Sequence, residues 1–193
     1  MPLIVFQEII DLLIMVGVIG FIFKDVLQPR VSVADYDPLK DFRKKTSFFS
    51  DGFKNAAIVA APAIALHELG HKISAISFGL EATFHAAYTW LGIGLLLKVI
   101  GAPFIFFVPG FVSYSGAVVE PLARALIAFS GPAVNLLLFL FATASIKRRW
   151  FKSKYLPILV LTKQINLFLF IFNMLPFGFF DGAHVLQSLM QAF

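Results

Sequence analysis

The stretch His67-Glu68-Leu69-Gly70-His71 lies in an apolar segment, Asn55 to Phe78, and predicts a membrane helix that carries a metal site. Helical residues four apart share a face, so His67 and His71 can direct two imidazole nitrogens at one point, as a tetrahedral zinc site requires. Glu68 is offset by about 100° around the helix, which suits a general base better than a third ligand. Such residues are costly inside a lipid-like helix without partners, so we interpret the histidines as metal ligands rather than as packed core residues.

The composition is that of an integral membrane protein. Of the 193 residues, 59% are hydrophobic and 14% are charged, and the mean hydropathy is +0.86. Soluble domains run nearer 45–50% apolar and about 25% charged, so a soluble zinc protease is excluded. The chain has no cysteine, so only histidine and carboxylate could hold zinc. Its net charge of +5 comes largely from basic loops between apolar spans, and we predict no nucleic-acid binding.

We predict an all-α integral membrane protein, a bundle of about four to six transmembrane helices that crosses the cell membrane several times. A spanning helix needs about 20 mainly apolar residues. The runs that meet this are Leu3–Phe23, Asn55–Phe78, Leu122–Ile146 and Leu156–Leu175. The first run lacks a small-residue cleavage site and is interpreted as a retained span. Its polar residues Gln7, Glu8 and Asp11 could face the interior of the bundle, but we favour the membrane interface, where they cost least.

The whole chain, 1–193, is predicted to form a single membrane-embedded domain. We divide it into a first span with a basic loop, 1–54, a catalytic core, 55–182, and a C-terminal helix, 183–193. Within the third span, Ser130-Gly131-Pro132 predicts a kink or a break.

The region from 80 to 120 is predicted to be partly immersed and re-entrant, and the number of spans within it is left open. Leu91–Ile100 predicts a helix too short to cross the bilayer alone. Phe104–Val108 and Phe111–Tyr114, joined by Pro109-Gly110, predict a small β-hairpin. At membrane depth such backbone is tolerated only where protein or a water-filled cavity covers it, so we place this re-entrant hairpin beside the histidines.

A catalytic zinc site needs a third protein ligand besides the two histidines. Carboxylates in or near apolar segments are few: Glu8, Asp11, Glu81, Glu120 and Asp181. Asp181 is the leading candidate, because it follows a Pro/Gly break that closes the last span and Gly182 permits a tight backbone. Aspartate is also a favoured helix N-cap, so the residues alone leave ligand and cap equally open.

Three motifs, in order, resemble the site-2-protease-type intramembrane metalloproteases. His67-Glu68-Leu69-Gly70-His71 resembles that family's zinc motif, and Ser130-Gly131-Pro132-Ala133-Val134-Asn135 is similar to its Gly-Pro-x-x-Asn motif. The segment from Asn173 to Gly182 is similar to its Asn-x-x-Pro…Asp-Gly motif, and the predicted hairpin is similar to its membrane-immersed β segment. We recognise no inserted sensor domain and expect a minimal form. Phe179-Phe180 is bulkier than the family pattern, which puts the substrate approach in doubt.

The resemblance implies an intramembrane zinc metallopeptidase that cleaves peptide bonds within or next to transmembrane segments, as in regulated intramembrane proteolysis. One zinc ion would be held by His67, His71 and Asp181, and Glu68 would activate water. Asn135 and Asn173 would contact the substrate or the oxyanion. The expected partners are a transmembrane helix of a substrate protein and the lipid bilayer, and the oligomeric state is not predicted. The other two histidines, His85 and His184, are expected to be structural.

Two other functions compete with this one. A membrane zinc peptidase of the CAAX-prenyl-protease type would use Glu120 in place of Asp181. A non-enzymatic metal-binding membrane scaffold would have no use for a base at Glu68.

The orientation in the membrane is left open. Residues 24–54 carry seven Lys or Arg and residues 147–154 carry five, whereas residues 79–121 carry only Lys98. The positive-inside rule places the two basic regions in the cytoplasm, so the zinc helix would run outward. The resemblance implies the opposite direction, with zinc nearer the cytosol.

Overall fold

The computed structural model describes residues 5–25, 51–102, 108–116, 119–178 and 180–193. Within these residues the protein is mostly helical, with one small sheet. The α-helices are α1 Phe6–Phe23, α2 Asp51–Asn55, α3 Ala61–Ser77, α4 Tyr88–Val99, α5 Pro121–Arg148, α6 Leu156–Asn173 and α7 Asp181–Ala192. A π-helix, Ala56–Ala60, joins α2 to α3, and a 3₁₀ turn, Ser153–Tyr155, precedes α6. The strands are β1 Glu81–Ala86 and β2 Gly110–Ser115.

Three helical segments of the described residues are long and apolar enough to cross a membrane: Phe6–Phe23, Pro121–Arg148 and Ser153–Asn173. They correspond to the first, third and fourth predicted spans, and they make the chain a multi-pass membrane protein. The predicted second span is helical as well, because helical backbone continues from Asp51 through the π-helix to Ser77. The π-helix ends two residues before Pro62, which has no N–H to donate to the carbonyl of Ile58 and whose ring crowds that carbonyl.

The helix α5 is continuous, so the break predicted at Ser130-Gly131-Pro132 is wrong. Gly131 and Pro132 are buried inside it. Proline is tolerated within a membrane helix when neighbouring helices stabilise the backbone around it. Here α3, α6 and α7 all pack against α5, so a helix crossed by three others stays whole despite its proline.

The two strands form an antiparallel pair, with a register that runs from Glu81 opposite Ser115 to Ala86 opposite Gly110. The strand predicted at Phe111–Tyr114 is thus confirmed, but its partner among the described residues is β1, which was not predicted. The predicted partner, Phe104–Val108, lies outside the described residues apart from Val108. Gly110 begins the strand β2, and an added Cβ there would meet the ring of Phe84 and the carbonyl of His85.

The carboxylates of α1 hold the outer edge of β1. Glu8 accepts a hydrogen bond from the Phe84 N–H at 2.7 Å, and Asp11 accepts one from the Ala86 N–H at 2.9 Å. Glu8 also pairs with the Lys72 ammonium, so its charge is compensated inside the protein. Both carboxylates are buried, at 5% and 2% exposure, so the prediction that they lie at the membrane interface is wrong. Pairing with strand N–H groups and with a cation removes the cost of burying them.

Candidate metal centre

Two histidines of α3 and an aspartate more than a hundred residues later in the chain converge on one point. Nε2 of His67 lies 3.1 Å from Nε2 of His71, and both come from consecutive turns of α3. Oδ2 of Asp181 lies 3.1 Å from the first of these nitrogens and 3.4 Å from the second. These residues form a candidate metal-binding group in the part of the chain that the structure describes.

Asp181 reaches this point because α7 packs against α5 and begins beside the turn that follows α6. The N-cap of α7 is Phe180, and no side chain makes a cap hydrogen bond there, so Asp181 is not the cap that the sequence left open. Gly182 permits the close approach, because an added Cβ would collide with the carbonyl of Met174. The Asp-Gly pair therefore places a carboxylate beside the imidazoles and lets the start of α7 pack against the turn that follows α6.

Both imidazoles are held through their other ring nitrogen. Nδ1 of His67 lies 2.7 Å from Oδ1 of Asn135, and Nδ1 of His71 lies 2.8 Å from the carbonyl oxygen of Ile127. The amide of Asn135 is oriented in turn, because its Nδ2 donates to the carbonyl of Ala63 at 3.1 Å and to Oδ1 of Asn166 at 2.9 Å. With oxygen acceptors at both Nδ1 atoms, the network assigns the ring protons to Nδ1. The Nε2 lone pairs are then directed toward each other.

The donor set fits a zinc ion. Two Nε2 lone pairs and a carboxylate oxygen at such short range repel one another unless a cation lies between them. A tetrahedron with ligand bonds of about 2.0 Å has edges of about 3.3 Å. The observed separations of 3.1, 3.1 and 3.4 Å are close to that edge. Histidine rings held through Nδ1 by an oxygen are also the usual arrangement around protein-bound zinc.

A glycine of α5 makes room for the cluster. A Cβ on Gly131 would lie 2.8 Å from Nε2 of His67 and closer still to Nε2 of His71. A second glycine, Gly70 on α3, faces α5, and a Cβ there would lie 2.9 Å from the carbonyl oxygen of Ser130. The two helices can therefore approach each other at the site only because both lack side chains there.

A cavity of about 600 Å³ opens at the cluster. Its lining includes His67, His71, Asp181, the base candidate Glu68 and the amide residue Asn173. Glu68 is buried at 8% exposure, between this cavity and a smaller apolar one beside α1. A substrate in the larger cavity could therefore meet the metal-binding group, a carboxylate and an amide together.

Asn135 does not belong to that lining. It is fully buried, and its oxygen and its amide nitrogen are both bonded to protein groups. These contacts favour a different role for Asn135, in which its amide orients His67, and the predicted contact with substrate or oxyanion stays a prediction. Glu120, the ligand of the competing prediction, is exposed at the N-cap of α5 and lies outside the metal-binding group.

The structure also adds residues that sequence reasoning passed over. His184, expected to be structural, lines the cavity one turn after Asp181, whereas His85 is half-buried and bonded to Ser113 across the sheet. Asn166 supports Asn135 from α6. Its position as a polar residue inside an apolar span is the signal that could have identified it.

Comparisons with known proteins agree with this geometry. A model of peptidase family M50 matches residues 144–193. A protein of Methanocaldococcus jannaschii, provisionally named a zinc metalloprotease, is 33% identical over 183 residues, which cover 94% of this chain and 84% of that protein. A Synechocystis protein with a name of the same kind is 28% identical over 134 residues, 69% of this chain and 31% of its own length. This chain therefore spans about a third of the Synechocystis relative. No solved structure matches.

Proposed function

This chain belongs to peptidase family M50, the site-2 protease family of zinc metalloproteases, and from that premise we propose that it cleaves peptide bonds within or next to transmembrane segments of other membrane proteins. The observation that carries the proposal is the convergence of His67, His71 and Asp181 on one point, beside a cavity in a bundle of membrane helices. A hydrolytic site in that position can be reached by a membrane-embedded peptide.

We propose that His67, His71 and Asp181 hold one zinc ion. Two neutral imidazoles and one carboxylate are a common ligand set for catalytic zinc, which keeps a further position for water or substrate. When bound, zinc supplies a Lewis acid that polarises a peptide carbonyl and acidifies water. Asn135 and the Ile127 carbonyl keep the two imidazoles in the tautomer that ligation needs.

Glu68 would serve as the proton carrier of the reaction. It follows the first histidine directly in sequence and borders the same cavity. As a carboxylate it would take a proton from the attacking water and deliver it to the leaving amine nitrogen. Its burial at 8% exposure keeps bulk water from competing for that proton.

Asn173 is the side chain placed to assist at the carbonyl oxygen. It is the last residue of α6 and lines the cavity, with its side chain partly exposed. Its amide N–H groups would donate to the oxygen on which negative charge develops during attack. Asn135 has no such part in the proposal, because its amide already serves His67.

A transmembrane substrate must unwind before attack, because a helix keeps its carbonyls bonded internally. The sheet offers one edge on which an unwound segment could pair. The other edge, on β1, is held by Glu8 and Asp11. In an antiparallel pair the residues opposite Phe84 and Ala86, namely Val112 and Gly110, also direct their backbone groups outward. Both line the cavity, so an extended peptide on β2 would lie beside the metal centre.

The decisive test compares the wild type with Glu68→Gln on fusion proteins that carry one transmembrane helix between two reporter domains. The purified, zinc-loaded wild type in liposomes should cut within or next to the helix, as located by mass spectrometry. Glu68→Gln should keep its zinc and lose at least about a hundredfold in rate. Undiminished cleavage by Glu68→Gln would contradict the role of Glu68 as the base. Cleavage only in the soluble reporter domains would contradict the proposal that the substrate is a transmembrane segment.

Zinc counting separates this proposal from the alternative third ligand. Asp181→Ala should lose bound zinc, whereas Glu120→Ala should retain it, because Glu120 is exposed and outside the cluster. The reverse result would favour the CAAX-prenyl-protease type of site. Zinc retained by both variants would mean that neither Asp181 nor Glu120 is a required ligand.

A further inference from the structure

The cavity has a second polar end, away from the metal-binding group. Arg124, in the first turns of α5, lines it together with Ser188 and Gln191 of α7. Nη2 of Arg124 donates to Oε1 of Gln191 at 3.0 Å, which joins the start of one helix to the end of the other. Tyr114 of β2 borders the same space. This end of the cavity therefore combines a guanidinium with neutral hydrogen-bonding groups.

The guanidinium lacks an anionic partner among the residues that the structure describes. Nε of Arg124 is buried and makes no hydrogen bond, and no described carboxylate lies within ion-pair distance of the side chain. Glu120 lies one turn earlier on the same helix, at a spacing that often pairs, yet it does not pair with Arg124. A buried N–H without an acceptor is costly, and arginine keeps its charge at any physiological pH.

The other titratable groups facing this cavity do not supply the missing charge. The side chains of His184 and Tyr114 are an imidazole and a phenol, not carboxylates. The carboxylates Glu68 and Asp181 lie at the metal-binding end. An anion that fits the fork of a guanidinium must therefore come from outside the described chain, and a carboxylate matches that fork in shape and charge.

We propose that Arg124 binds a carboxylate of the substrate, an Asp or Glu side chain three to five residues from the scissile bond; this inference rests on the proposed proteolytic function. Seven residues of α5 separate Arg124 from Gly131, which contacts the imidazoles, and this corresponds to about 10 Å. Ten residues of α7 separate Asp181 from Gln191, about 15 Å. An extended peptide advances about 3.3 Å per residue, so three to five residues cover this range.

The test is a cleavage profile on a mixed library of detergent-solubilised peptides of known sequence. Cut sites of the zinc-loaded protein are read by mass spectrometry. The wild type should favour Asp or Glu at one position, three to five residues from the cut. Arg124→Gln should lose this preference, Arg124→Glu should favour Lys or Arg there, and Arg124→Lys should keep part of it. Lys147→Gln, at the exposed far end of the same helix, is the matched control and should leave the preference unchanged.

A matched pair of peptides with Glu or Gln at that position gives the size of the effect. The Glu peptide should have a kcat/KM about tenfold higher in the wild type, mainly through KM, and the ratio should fall to about one in Arg124→Gln. Binding of the same peptides to the Glu68→Gln background, followed by fluorescence anisotropy, should show the same ratio. This second measurement does not depend on turnover.

The outcomes separate this inference from the proposed function. If the wild type cleaves without preference for acidic residues, or Arg124→Gln keeps that preference, the carboxylate site is wrong and the protease stands. Equal binding of the two peptides would overturn the site even without turnover. If Arg124→Gln changes only the response to added phosphatidylglycerol in phosphatidylcholine vesicles, Arg124 binds a lipid phosphate instead, and the inference also fails.

Discussion

Oδ1 of Asn135 lies 2.7 Å from Nδ1 of His67, so an amide on α5 holds a histidine on α3. Asn166 on α6 holds that amide in turn, through the hydrogen bond it accepts from Nδ2 of Asn135 at 2.9 Å. Nδ2 of Asn166 donates to the carbonyl of Thr162, which closes the chain of contacts. The direction of one imidazole therefore depends on polar groups from three helices, and the two asparagine side chains are buried where water cannot replace them.

Asn135→Ala should weaken zinc binding. The substitution removes the acceptor for the His67 ring proton, and loss of such a supporting contact typically costs 10–100-fold in metal affinity. Zinc affinity is measured in detergent by competition with a chromogenic chelator. Unchanged zinc affinity, together with a large fall in kcat, would contradict the orienting role and restore the predicted contact with the oxyanion.

Asn173→Ala should lower kcat and leave zinc affinity unchanged, the opposite of the effect expected for Asn135→Ala. Its side chain lines the cavity and is outside the metal-binding group, so zinc affinity should stay at the wild-type value. Loss of one oxyanion donor typically lowers kcat by about 10²–10³-fold. The two asparagine variants therefore control for each other, and identical effects on zinc affinity in both would show that at least one of the two roles is assigned incorrectly.

Gly131→Ala should disturb the metal centre without weakening its helix. Alanine is favoured over glycine in a helix by about 1 kcal/mol, but the added Cβ would push into both Nε2 atoms. We expect at least tenfold weaker zinc binding, measured as zinc retained after dialysis against a chelator. Gly17→Ala is the matched control, because the space around Gly17 on α1 is open. Equal zinc retention in the two variants would contradict the close packing at Gly131.

The membrane spans and the pair His67 and His71 could be predicted because their sequence signals are local. Hydropathy over about 20 residues identifies a membrane helix, and a spacing of four places two histidines on one face. The approach of Asp181 was predictable only as one of two alternatives. The geometry that distinguishes ligand from cap lies in the close approach of Gly182 to the turn after α6 and in the packing of α7 against α5, which a single segment does not encode.

Tertiary packing decided the features that sequence reasoning missed. Glu8 and Asp11 look like interface residues, because an acidic side chain near a helix start is usually solvated. They are buried because β1 presents its N–H groups to them and Lys72 supplies a positive charge. The strand β1 was missed for the same reason. Its pairing partner β2 and the α1 carboxylates that bond to its outer edge both lie far from it in sequence.

The buried ion pair between Glu8 and Lys72 gives the last prediction. Both side chains are at most 5% exposed, and the pair connects α1 to the turn that follows the second histidine of α3. Removing one partner leaves the other charge buried, which typically costs about 3–5 kcal/mol, whereas replacing both with neutral groups costs less. Glu8→Gln and Lys72→Met should each lower the unfolding temperature in detergent, and the double variant should be more stable than Lys72→Met or Glu8→Gln alone.

Thermal unfolding followed by tryptophan fluorescence measures this cycle, and the pair Asp25–Lys98 supplies the control. Its atoms are 2.6 Å apart, but the Asp25 side chain is 53% exposed, so Lys98→Met should cost at most about 1 kcal/mol. Losses that simply add in the Glu8→Gln/Lys72→Met double variant would contradict the argument. They would mean that each residue stabilises the protein through separate contacts, such as the bond from the Phe84 N–H to Glu8, and that the two charges do not compensate each other.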